Sequence, residues 1–86
     1  MANLILYGTV GCHLCELADV LVSEGIPPGQ QLCQRDIADD ADLLARYALR
    51  IPVLVCEATG RELDWPFDAV QLQVWLRARA GSGKAG

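Results

Sequence analysis

Leu4-Ile5-Leu6-Tyr7-Gly8-Thr9-Val10-Gly11-Cys12-His13-Leu14-Cys15 carries three signals in close succession. Leu4 to Tyr7 is an apolar run closed by Gly8, the pattern of a strand buried on both faces. From Leu14 the period changes. Leu14, Leu17, Ala18, Leu21 and Val22 recur as one apolar stripe of a helix, with Glu16, Asp19 and Ser23 on the other side. The Cys12-x-x-Cys15 motif therefore falls between a strand and a helix. At that position the first helical turn leaves backbone N–H groups without intrahelical partners and presents the positive end of the dipole. A thiolate at Cys12 is stabilised there, and thiolate is the nucleophilic form. Cys15, one turn further in, can attack a mixed disulfide on Cys12 and expel the bound thiol.

Downstream, Gly25 and Pro27-Pro28-Gly29 end the helix and turn the chain. Gln31 to Ile37 is a second, less apolar strand. Asp39, Asp40 and Asp42 open a second helix, with Leu43, Leu44 and Tyr47 as its buried face and Arg46 and Arg50 near its end. Ile51 precedes Pro52 and is biased away from helix. Val53 to Cys56 is a third strand, Ala58-Thr59-Gly60 a turn and Arg61 to Asp64 a short fourth strand. Asp68 and Gln71 have capping-box spacing, and Phe67 can staple to Leu72, so the last helix starts there. Its apolar face is Leu72, Trp75 and Leu76, and it fades at Ala80. Residues 1–80 then form one domain, and Gly81 to Gly86 is set apart by composition as a flexible tail. The order β-α-β-α-β-β-α gives an α/β domain, a small sheet covered by helices.

An 86-residue chain holds one thin core. Its longest apolar run, Ile51 to Cys56, is far short of a membrane span. A formal charge of −4 disfavours nonspecific binding to nucleic acid or an anionic membrane. The four cysteines lie in regular apolar segments rather than in the polar, loop-rich sequence of a disulfide scaffold, and Met1-Ala2-Asn3 has no basic leader region. A reducing cytoplasm is the expected compartment.

Three readings of the motif stand side by side: redox chemistry, half of a zinc site, and a structural disulfide or buried thiol pair. Zinc needs a second close pair, whereas His13, Cys33 and Cys56 are dispersed, so no metal site is expected. Cys33 and Cys56 are expected to be buried, inert strand residues. His13, the single histidine, would favour thiolate at Cys12 as imidazolium or else point to solvent. Trp75 reads as core and Trp65 as a residue flanking the site. Arg50 reads as a solvated charge at a helix end.

Residues 6–15, together with Arg50-Ile51-Pro52-Val53-Leu54, resemble the glutaredoxin and thioredoxin superfamily, most closely its small bacterial glutaredoxin-like proteins. Element order and spacing extend the resemblance over residues 3 to 80. It implies a thioredoxin-like fold with a four-stranded mixed sheet, the third strand antiparallel to the others. It implies a cis Pro52 beside the motif, with Ile51 offering its backbone to a bound substrate. The activity implied is dithiol–disulfide exchange on a disulfide-containing protein or small thiol, by a monomer with no bound cofactor and glutathione as a candidate reductant. A noncatalytic redox-responsive binding module and a metal-carrying thiol protein are the alternatives. Where glutathione-using members carry a lysine before the motif, this chain has Thr9. Their Thr-Val-Pro is Arg50-Ile51-Pro52, and their Gly-Gly after the fourth strand is Asp64-Trp65. Arg50 and Asp68 are the positions left for glutathione contacts.

Overall fold

A computed structural model describes the backbone of residues 3–85 and the side chains of residues 3–78. The strands are β1 (Leu4–Gly8), β2 (Leu32–Asp36), β3 (Val53–Cys56) and β4 (Glu62–Asp64), and the helices α1 (His13–Gly25), α2 (Ala41–Tyr47) and α3 (Ala69–Ala85). A 3-10 turn, Ile37–Asp39, links β2 to α2. The sheet order is β2-β1-β3-β4, with β1 parallel to β2 and β3 antiparallel to both of its neighbours. The element order is the one expected from the residues, and the mixed sheet with its antiparallel third strand is the one the resemblance implies.

The unbroken apolar runs of β1 and β3 follow from their central place, since both faces are covered. Leu4, Leu6, Leu54 and Cys56 face a cluster with Ala18 and Val22 of α1 and Leu72, Trp75 and Leu76 of α3. Ile5, Tyr7, Val53 and Val55 face the other way, onto Ile37 and Tyr47. A fully buried leucine or valine of this kind contributes about 1.5–3 kcal/mol of transfer free energy. Helix starts are set by local chemistry. The Asp40 carboxylate accepts from the Asp42 and Leu43 N–H groups. Asp68 and Gln71 form the expected reciprocal box, at 2.8 and 2.9 Å, with Phe67 and Leu72 buried together.

Several expectations are corrected. β2 stops at Asp36 because the Asp36 carboxylate caps the 3-10 turn through the Ala38 N–H, at 2.8 Å. Leu14 and Leu17 are almost half exposed, as α1 meets the sheet through the narrower line of Ala18 and Val22. Leu44 is likewise exposed, because the short α2 turns Tyr47 and Leu43 to the sheet. α3 continues through residues 81–85, which composition sets apart as a tail. The strong helix formers Arg77 to Ala80 carry it past Leu76, the last buried residue among the described side chains. Met1, Ala2 and Gly86 lie outside the described residues.

Cys33 is exposed rather than buried, whereas Cys56 is buried. β2 is an edge strand, and of its five residues only Leu32 packs against the core. Brief alkylation of the oxidised protein is therefore expected to place one adduct on Cys33 and none on Cys56 until the chain unfolds. Comparable labelling of Cys56 in native buffer would contradict this burial.

α1 and α3 meet closely at the end of α1 away from the motif. A Cβ on Gly25 would lie 2.7 Å from Leu72 Cδ2, and Gln73 Nε2 donates to the Gly25 carbonyl at 2.6 Å.

Candidate functional site

β1 ends at Gly8, and the chain turns through Gly11, whose φ of +82° is open to glycine at little cost. It enters α1 with Cys12 as the N-cap residue. The Cys15 N–H donates to Cys12 Sγ at 3.1 Å, so one otherwise orphaned helix donor is aimed at that sulfur. Cys12 and Cys15 form a disulfide with a Cα–Cα distance of 5.2 Å. The two sulfurs are not equivalent. A Cβ on Gly8 would lie 2.8 Å from Cys15 Sγ and 3.1 Å from Cys15 Cβ, so Cys15 is backed directly by the end of β1. Both cysteines are partly buried. Nothing local marks Gly8 as a close-approach residue, and the sequence reads it only as a strand end.

Register brings the second half of the site to the same end of the sheet. Tyr7 pairs with Val53 and Gly8 with Asp36, so the end of β1 lies beside the start of β3. Ile51–Pro52 precedes β3 directly and its peptide bond is cis, as the resemblance implies. Pro52 is buried, and its carbonyl accepts from the Trp65 N–H at 3.2 Å. Trp65 packs edge-on to Phe67 and precedes a second cis proline, Pro66, for which the sequence gives no signal. The Ile51 N–H is bonded to the Tyr47 carbonyl at 3.1 Å.

Arg50 lies beyond the end of α2, not on its last turn, and it is not a loose solvated charge. Its guanidinium grips Asp64 through two bonds, at 2.7 and 3.2 Å, and Glu62 through one at 2.5 Å. It also lies 5.2 Å from the centre of the Tyr47 ring, which stacks on Tyr7 and donates to Glu62 at 2.8 Å. The network ties the segment before Ile51 to β4. Hydrogen bonding to Arg50 holds the Glu62 carboxyl below the usual glutamate range. Burial, with the Glu62 bond second, raises the Tyr47 hydroxyl. Spacing could not reveal this network, because it requires knowing that β4 returns beside Arg50.

Because the Glu62 pKa is depressed on folding, its contribution to stability is present above the unfolded glutamate range and lost as pH falls through the folded value. Arg50→Met is expected to lower stability by about 1–2 kcal/mol at pH 7, discounted for the half-exposed Asp64. The gap from the parent chain should narrow in urea titrations near pH 3. A gap independent of pH would assign the loss to packing alone.

His13 is exposed, with Nδ1 4.0 Å from Glu16 Oε1, an ion pair only when the ring is protonated. The Asp68 carboxylate is taken up by the α3 cap. Beside the disulfide a cleft of about 440 Å³ opens toward β2, bounded by Thr9, Val10, Glu16, Asp19, Gln34 and Asp36. Ile51 and Pro52 lie on the β3 side instead. Among the described residues, no three of His, Cys, Asp and Glu are grouped so as to hold a metal ion. No helix among them is long and apolar enough to cross a membrane.

An α/β sheet of this order, with a Cys-x-x-Cys disulfide at the start of α1 and a cis proline entering β3, is a thioredoxin-like fold of the glutaredoxin kind, fitted to a thiol redox role. Residues 3–77 match the family described as glutaredoxin-like domain (DUF836), and the chain belongs to that family. It is similar to the X-ray structure of protein XcR50 from X. campestris, at 43% identity over 88% of this chain and 97% of that one, with a TM-score of 0.78. The solution structure of XcR50 gives 45% identity over 91% and 95% of the two chains, with a TM-score of 0.75. Protein Ne2328 from Nitrosomonas europaea is 28% identical over 86% of this chain and 89% of its own, with a TM-score of 0.64. A comparison with curated proteins found no match.

Proposed function

We propose that this chain is a cytoplasmic thiol–disulfide oxidoreductase in which Cys12 is the attacking thiol and Cys15 the resolving one. The supporting observation is the asymmetry at the start of α1. Cys12 Sγ already accepts a helix N–H, whereas Cys15 is backed by Gly8. In the reduced protein that N–H and the dipole favour a Cys12 thiolate. The thiolate attacks one sulfur of a substrate disulfide, forming a mixed disulfide and releasing the first substrate thiol. Cys15, losing its proton, then attacks Cys12 Sγ and releases the second. Two electrons pass to the substrate, and the protein is left with the Cys12–Cys15 disulfide seen here.

Pro52 and the carbonyl of Ile51 would position the substrate segment, since the Ile51 N–H is occupied. A small or protein thiol closes the cycle. Glutathione is the reductant the resemblance suggests, though Arg50 and Asp68 already have partners within the fold. Steady turnover of hydroxyethyl disulfide with a coupled thiol reductant tests the reading. A Cys12–Cys15 couple that oxidises and reduces without turnover would instead favour a redox-responsive binding module.

A further inference from the structure

The walls of the cleft beside the disulfide differ sharply in charge from the surface a symmetrical charge distribution would give. Glu16 and Asp19 stand one turn apart on α1, on the flank that carries Cys12 and Cys15. Asp36 closes the opposite wall at the end of β2, paired in register with Gly8. Arg35 also borders the cleft, but it pairs with Tyr7, so strand alternation places its Cβ on the α2 side of the sheet. Across the motif, Arg50 is neutralised by Glu62 and Asp64. Among the described residues, three carboxylates and one guanidinium, that of Arg35, border the cleft, so its walls carry a net negative charge in a chain already at −4. All three carboxylates have internal neighbours: Asp19 holds Gln34 and Ser23, Asp36 holds the 3-10 turn, and Glu16 lies 4.0 Å from His13, a counter-charge only when that ring is protonated. The bonds of Asp19 and Asp36 fix those charges in place without cancelling them.

We infer that the exchange site selects cationic disulfides, namely a cystine in a protein segment flanked by lysine or arginine, and discriminates against anionic ones such as oxidised glutathione. The inference rests on the exchange reading above. Glu16, Asp19 and Asp36 are specificity residues that act on the approaching substrate through the field of the cleft. The exposed Val10 and Leu14, on either side of Cys12, add apolar contact that a peptide can use and a small amine cannot.

The full reduced chain is mixed with cystamine, hydroxyethyl disulfide and dithiodipropionate, which carry positive, no and negative charge. Rates of Cys12–Cys15 oxidation are divided by those of dithiothreitol with the same disulfides, which removes intrinsic reactivity. At low salt the normalised preference for cystamine over dithiodipropionate is expected to be about tenfold, falling toward one near 0.5 M NaCl as the field is screened. Glu16→Gln with Asp19→Asn should remove most of that preference. Glu24→Gln with Glu57→Gln, the same change in net charge away from the motif, should leave it. A lysine-flanked peptide disulfide should react faster than cystamine, and a rate no higher would shift the source to small amine disulfides. Equal normalised rates, a preference for the anion, or equal loss in both double variants would overturn the inference while leaving exchange intact. No oxidation by any of the three would remove the exchange reading itself.

Discussion

Cys12→Ser is expected to reduce disulfide exchange to the uncatalysed rate, because the helix N–H then meets a hydroxyl that does not ionise at neutral pH. Cys15→Ser should keep the first step and lose the second. Its Cys12 keeps the N–H of position 15, a backbone group, directed at it. That variant should accumulate a mixed disulfide, detectable as a stable mass adduct on Cys12. The pair of variants separates the two roles without reference to folding, since each replaces one sulfur by a smaller oxygen. Adducts trapped on Cys15 in the Cys12→Ser chain, at the parent rate, would reverse the assignment. Gly8 makes that reversal physically unfavourable, because it leaves little space on the inner side of Cys15.

Gly8→Ala is the second large effect. The added methyl would stand 2.8 Å from Cys15 Sγ and 3.1 Å from its Cβ, and the Cβ cannot swing aside as a chain tip can. Overpacking of this kind costs about 1–3 kcal/mol. The cost falls unequally on the two redox states. A free Cys15 thiol can change rotamer, whereas the disulfide pins Sγ against the methyl. The oxidised form should therefore lose more stability, and the midpoint potential should rise by roughly 20 mV for each kcal/mol of difference. Denaturant titrations of both forms, with equilibration against a thiol buffer, measure the two quantities independently. A Gly8→Ala chain equal to the parent in both would show that β1 and Cys15 are not in such close contact.

The parts of the fold written locally in the chain were legible from residues alone. The apolar runs Leu4–Tyr7 and Val53–Cys56, the acidic start of α2, the Asp68 cap and the Phe67–Leu72 staple each depend on neighbours within a few positions. The Cys-x-x-Cys was legible for the same reason, as a motif between a strand and a helix. What could not be read depends on which strand lies at an edge and which segment returns beside it. Cys33 has the composition of a buried strand residue and becomes exposed because β2 has only one neighbour. Arg50 reads as a helix-end charge until β4 places Glu62 and Asp64 against it. The three carboxylates of the cleft come from α1 and β2, elements brought side by side by the parallel pairing of β1 with β2.

The contact of Gly25 with Leu72 and Gln73 makes α1 a post set in the body of the protein at the end remote from its sulfurs. The cross-link at the other end joins residues only three apart, so opening it frees very little chain, and its entropic hold on the unfolded state is near the low end for disulfides. Electron transfer should thus leave the post standing and alter only its tip. Amides near Gly25 would exchange with deuterium equally slowly in both oxidation states, while those of the first turn would report the change. A partner that distinguishes the oxidised from the reduced molecule has to touch that tip.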